Sequence, residues 1–121
     1  MPYKYHNSNP NGYHIPDCVT RAISNATEIP YYEVLTMLHI NGMICNCDDL
    51  HVRCYEKLLD KDLKLPHYVG NGSTAEEVAL DFPNDILLLR MDGHLSMSRF
   101  GVIEDIWNCS DEVVTDFWIV S

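Results

Sequence analysis

The stretch from Ile86 to Arg99 limits the fold more than any other part of the chain. Ile86-Leu87-Leu88-Leu89-Arg90-Met91 is a short apolar run that reads as a buried strand. Asp92-Gly93 follows it, a strong hairpin signal, and His94 to Arg99 reads as the returning strand. Val102 to Trp107 and Val113 to Val120 give two further predicted strands, with Gly101 in the turn before the first. Upstream of Pro83 the apolar period is helical instead. Cys18, Val19, Ala22, Ile23 and Ala26 make one stripe, and Asp17 reads as its N-cap with Pro16 just outside. Asp17 and Arg21 lie four apart and are expected to pair on the exposed side. Glu28-Ile29-Pro30 should end this helix, because the residue before proline avoids the helical region.

A second helix is predicted from Tyr31 to Ile40, closed by Asn41-Gly42, and a third from Asp48 to about Asp60. Ser73-Thr74-Ala75-Glu76-Glu77 resembles a capping box that opens a short helix to about Asp81. The first 16 residues, rich in Asn, Pro and Gly, read as loop. Helices first and an antiparallel sheet second is an α+β pattern, and 121 residues suit one domain spanning 1–121.

Charge and leader chemistry narrow the function. Eight basic against 18 acidic residues give a formal net charge of -10. That opposes nucleic-acid binding, whose affinity comes largely from Lys and Arg on phosphates, and it opposes anionic membranes. It favours a basic partner. Met1 to Pro10 has no apolar h-region, so no signal peptide is expected and the chain reads as cytoplasmic. The five cysteines are then expected to be reduced, and their odd number argues against a fully paired disulfide framework.

Three residues carry the chemistry. Cys18 is predicted to open a helix, where free N–H groups and the macrodipole favour a thiolate. The bland alternative is a small core residue on an apolar stripe. His94 begins a strand after a tight turn. Asp105, inside Val102-Ile103-Glu104-Asp105-Ile106-Trp107, needs a partner if buried. With Phe100-Gly101 as a two-residue loop, Arg99 faces Val102 and His94 faces Trp107. His94 and Asp105 then share one face as diagonal neighbours, within side-chain reach. A three-residue loop would shift the register and put Asp105 on the other face.

Asp17-Cys18-Val19-Thr20-Arg21-Ala22-Ile23, with Ala26-Thr27 and Tyr32-Glu33-Val34, resembles a small papain-like cysteine peptidase group of phage and bacteria. Gly93-His94-Leu95, Gly101 and Asp105-Ile106-Trp107 resemble that group's histidine strand and the hairpin after it. Asp105-Ile106-Trp107 matches the family's Asn-Ser-Trp segment with Asp in place of Asn. The resemblance implies a papain-like fold and a cysteine peptidase or amidase that needs no cofactor. Cys18 would be the nucleophile, His94 the base and Asp105 the residue that orients it. The substrate would be a peptide or protein. The family usually places a Gln ahead of the nucleophile to complete the oxyanion hole, and this sequence contains no Gln. Asn11 is the preferred substitute, ahead of Asn9; His14 reads as an exposed loop histidine.

Two other readings compete. Without a complete oxyanion hole, the chain would be a catalytically weak or inactive papain-like protein of phage type. Its acidic surface would then bind a basic host protein and block it. Separately, Cys45, Cys47, His51 and Cys54 offer the ligand types zinc prefers, although the spacing is unlike separated Cys-x-x-Cys knuckles. Tyr31, Tyr32, Trp107 and Trp118 could line a substrate groove, but aromatic residues at these spacings are more often core.

Overall fold

The computed structural model describes residues 3–12, 17–46 and 52–121, with the side chains of Cys45 and of 52–54 set aside. Among them are six strands: β1 (Tyr3–Tyr5), β2 (His67–Val69), β3 (Ile86–Met91), β4 (His94–Arg99), β5 (Val102–Asp105) and β6 (Val114–Ile119). Four α-helices join them: α1 (Cys18–Thr27), α2 (Tyr31–Cys45), α3 (Val52–Lys57) and α4 (Ala75–Asp81). A five-residue π-helical turn, Leu58–Asp62, follows α3. The class is α+β. The sheet, in the order β1-β5-β4-β3-β6-β2, is mixed and not purely antiparallel, because β1 runs parallel to β5. Tyr3–Tyr5 therefore departs from the loop expected there. Its peptide groups extend the β5 edge, with Tyr5 opposite Asp105.

Strand alternation sends apolar side chains to both faces. Leu88, Leu95, Met97 and Trp118 pack with Val19, Ile23, Val34, Leu38, Leu58 and Leu59 of the helical side. Leu87, Leu89, Met91, Ile103 and Phe117 pack with Ala75, Val78 and Ala79 of α4 on the other side. This explains the unbroken run Leu87-Leu88-Leu89, each fully buried. At about 25 cal/mol per Å² of buried apolar surface, these two clusters are the main stabilising term.

Two helix ends differ from the expectation. Asp17 precedes α1, but its side chain makes no cap bond. Its carboxylate instead pairs with Arg21 and accepts hydrogen bonds from Tyr31 Oη (2.5 Å) and Asn9 Nδ2 (3.0 Å). The Asp17–Arg21 pair is buried, not exposed as expected, so these added donors are what make it tolerable. Helix α2 runs past Asn41-Gly42 to Cys45 and ends at Asn46, whose φ of 53° is left-handed. Asn41 does not stop it, because its amide is satisfied within the fold. Its Nδ2 donates to Met37 O and Asp62, and its Oδ1 accepts from Lys57. Helix α4 has the expected capping box between Thr74 and Glu77.

Candidate thiol site

Both hairpins that carry the histidine strand close with two-residue loops. Met91 pairs with His94 across Asp92-Gly93, and Arg99 pairs with Val102 across Phe100-Gly101. Phe100 (φ 53°) and Gly101 (φ 83°) are both left-handed, as a type I′ turn demands. A left-handed backbone costs phenylalanine some energy, and the residue is 60% exposed. That turn fixes the register. His94 and Asp105 fall on one face as diagonal neighbours, and the side chains meet: His94 Nε2 donates to Asp105 Oδ2 at 2.7 Å. β5 ends at Asp105, earlier than expected, because Ile106 and Trp107 bend away. The bend sets the Trp107 ring against His94, centroids 5.0 Å apart.

Helix α1 packs along β4, which brings its first residue to the start of that strand. Cys18 is half-buried, and hydrogen bonding from His94 and from the Leu95 backbone N–H acts on its thiol. Burial pushes the Cys18 thiol up, but these two bonds and the nearby imidazolium charge outweigh it, so its pKa is lowered. For His94 burial works the other way and disfavours the cation. The hydrogen bonds to Asp105, Cys109 and Cys18 override it and push the imidazole up to about 11. Asp105 completes the balance. Burial raises its carboxyl, and the bond from His94 more than reverses that, leaving the pKa lowered. The three shifts support one another: the Cys18 thiol is lowered, the His94 imidazole raised and the Asp105 carboxyl lowered, so burial is offset by hydrogen bonding and opposite charge.

Further contacts hold Asp105 in place. Ile106 N–H donates to its Oδ1 at 2.7 Å, and Arg21 Nη2 lies 3.8 Å from the same oxygen. Its backbone carbonyl accepts from His6 N–H and Tyr3 Oη. Strand β1 thus clamps the carboxylate's end of β5. Arg21 sits between Asp17 and Asp105, so it links helix α1 to the end of β5. Behind Cys18, Leu95 and Asp105 lies a pocket of about 10 Å³, room for about one water.

The amide candidates lie elsewhere. Asn11 Nδ2 donates to Tyr32 Oη at 3.2 Å on the exposed surface. Asn9 is buried, with its amide directed to Asp17 and Tyr31. His14 lies outside the described residues. Of the aromatic groove candidates, Tyr31 and Trp118 are core, whereas Tyr32 and Trp107 are exposed at 57% and 43%. Cys45 ends α2 and Cys54 lies in α3, but the zinc arrangement involving them, Cys47 and His51 lies outside the described residues. Sequence reasoning passed over Cys109. It is buried and places its sulfur 3.8 Å from Asp105 Oδ2, and it contributes to the raised pKa of His94. The available signal was its position four residues beyond Asp105, just past the bend.

No helix of the described residues is long and apolar enough to cross a membrane. Comparison of the chain with family models, curated proteins and solved structures finds no match.

Proposed function

We propose that this chain is a papain-like thiol hydrolase, a cysteine peptidase or amidase, with Cys18 as nucleophile, His94 as acid and base, and Asp105 as the orienting residue. The observation that carries it is the His94–Asp105 hydrogen bond, Nε2 to Oδ2 at 2.7 Å, beside a half-buried Cys18 whose thiol pKa His94 lowers. In the proposed reaction the Cys18 thiolate attacks an amide carbonyl and a C–S bond forms. The oxyanion is met by the Cys18 backbone N–H, one of the first-turn donors that has no acceptor within the helix. The His94 imidazolium gives its proton to the leaving nitrogen as the C–N bond breaks. Water, deprotonated by neutral His94, then attacks the thioacyl group, and Cys18 departs as thiolate. Asp105 keeps the ring in one orientation throughout and stabilises its cationic form.

A second reading is supported by the amide positions. Asn9 and Asn11 are both directed elsewhere, so the oxyanion hole has one donor identified. A missing donor lowers turnover about 10²–10³-fold. A protein that keeps this site but acts by binding a basic host partner through its acidic surface, in a host cytoplasm, fits that deficit. Trapping with a peptide aldehyde and a peptide vinyl sulfone, read by intact mass and by peptide mapping, tests the first reading. It expects the adduct on Cys18, lost in His94→Ala. An adduct on another cysteine, or none under conditions that label small reactive thiols, contradicts it. Adduct formation without hydrolysis of any peptide library member favours the binding reading.

A further inference from the structure

Cys109 gives the thiol site a feature that the proposed reaction does not use. Three different ligand-type atoms converge here: a His94 ring nitrogen, an Asp105 carboxylate oxygen and Cys109 Sγ, all within 4.8 Å of one another, with Nε2 the nitrogen that faces Asp105. They are also dry. Cys109 is 1% exposed and Asp105 6%. The geometry points to a binding site for a borderline-soft divalent cation, zinc above all, held by His94, Asp105 and Cys109. A tetrahedral zinc with sulfur at about 2.3 Å and nitrogen and oxygen at about 2.0–2.2 Å requires ligand atoms about 3.3–3.6 Å apart. The Cys109 sulfur is 3.8 Å from Asp105 Oδ2, already near that separation. The His94–Asp105 distance of 2.7 Å must open by about 0.6–0.9 Å, a rotation of the ring or the carboxylate.

The donor set selects the metal. One thiolate, one imidazole and one carboxylate suit zinc, whereas magnesium and calcium take oxygen ligands. Three protein ligands leave the fourth position to water, the pattern of an exchangeable site more than a structural one. On binding, the Cys109 thiol releases its proton as the S–metal bond forms. His94 Nε2 exchanges the proton it shares with Asp105 for the metal. Nothing is oxidised or reduced, and both protons pass to solvent. Metal affinity therefore falls as the solution is acidified.

The consequence for Cys18, which rests on the hydrolase reading, is inhibition. Metal on Nε2 takes Asp105 away from the ring and leaves His94 unable to become the imidazolium that holds the Cys18 thiolate. Binding itself does not depend on that reading.

Cobalt(II) titration of the wild-type chain and of Cys109→Ser tests the site, read by thiolate-to-cobalt charge-transfer absorption. The expected result is a band saturating at one equivalent in the wild type, with affinity about 100-fold weaker and the band lost in Cys109→Ser. Zinc should slow Cys18 alkylation in the wild type about tenfold and leave the variant's rate unchanged. No band in the wild type overturns the proposal. So does an equal band in the variant, which would assign the sulfur to Cys18, Cys45, Cys47 or Cys54. Should Cys109→Ser fail to fold, the ¹⁵N resonance of His94 Nε2 in the wild type decides: it must shift on adding zinc, and a fixed resonance overturns the site. Slow Cys18 alkylation without metal would refute the hydrolase reading alone and leave the cobalt result standing.

Discussion

Replacing Asp105 with Asn removes the charge that keeps His94 protonated and changes little else in shape. His94 is held at about 11 against 6.5 in an unfolded chain. Proton linkage between those values sets an upper limit of about 5 kcal/mol of stability at pH 7. Breaking one side of a buried pair costs about 3–5 kcal/mol, and the Asn oxygen still accepts a bond from neutral imidazole. The expected loss is therefore about 3 kcal/mol, or about 12 °C in Tm for a chain of this length. The pH dependence has a definite sign. Because the folded His94 pKa is raised, its contribution is fully present below pH 6.5 and is lost as pH rises toward 11. Asp105 has the opposite sign: its pKa is lowered, so its contribution is present above the ordinary 3.8 and is lost as pH falls through the lowered value. The gap between wild type and Asp105→Asn should be widest between about pH 4 and 6.5 and should narrow above it. Urea denaturation at pH 6, 8 and 10 measures this directly. A gap below about 1 kcal/mol at pH 6, or one equally wide at pH 6 and 10, would refute the ion-pair account.

Three other substitutions probe the frame around the site. Arg21→Met leaves the buried Asp17 with Tyr31 and Asn9 but without its cation, and should cost about 3 kcal/mol by denaturant midpoint; a neutral result would remove the link between α1 and Asp105. Gly70→Ala puts a Cβ 2.1 Å from Val114 O, where backbone must move and the 2.7 Å bond from Gly70 N–H to Thr115 O is lost. It should destabilise by about 3 kcal/mol, and an unchanged midpoint would contradict the β2–β6 edge pairing. Trp118→Phe deletes the 2.7 Å hydrogen bond from Nε1 to Asp60 and shrinks a fully buried ring stacked on His67. A loss of about 2 kcal/mol is expected in thermal melts, and a loss under 0.5 would mean that Asp60 is hydrated there.

The parts of the fold legible in the sequence were those governed by local pattern. β3, β4 and the Thr74 capping box follow from apolar period, turn residues and cap chemistry over a few neighbours, and α1 from its apolar stripe. The His94–Asp105 register was legible only conditionally, because Phe, exposed at position 100, is a poor left-handed residue. What stayed hidden depends on distant partners. Tyr3–Tyr5 is a strand because an edge some 100 residues away accepts it, and His67–Val69 because β6 does. Asp17 looks like a cap, yet Arg21, Tyr31 and Asn9 take its carboxylate. Asn41-Gly42 looks like a stop, yet Asp62 and Lys57 satisfy Asn41 within a continuing helix. Around the candidate site, the start of α1 at Cys18 and the pairing of His94 with Asp105 were legible. Cys109 was not, since a bend after β5 folds it back on the pair.

The central claim is that His94 holds Cys18 as a thiolate. The pH dependence of iodoacetamide alkylation at Cys18, followed by peptide mass, tests it most directly. Wild-type Cys18 should alkylate with a midpoint below the ordinary thiol range, and His94→Ala should move that midpoint up, because burial and the Asp105 charge are then opposed by the Leu95 N–H alone. A wild-type profile that coincides with that of an ordinary thiol, or one that His94→Ala leaves in place, would contradict the account.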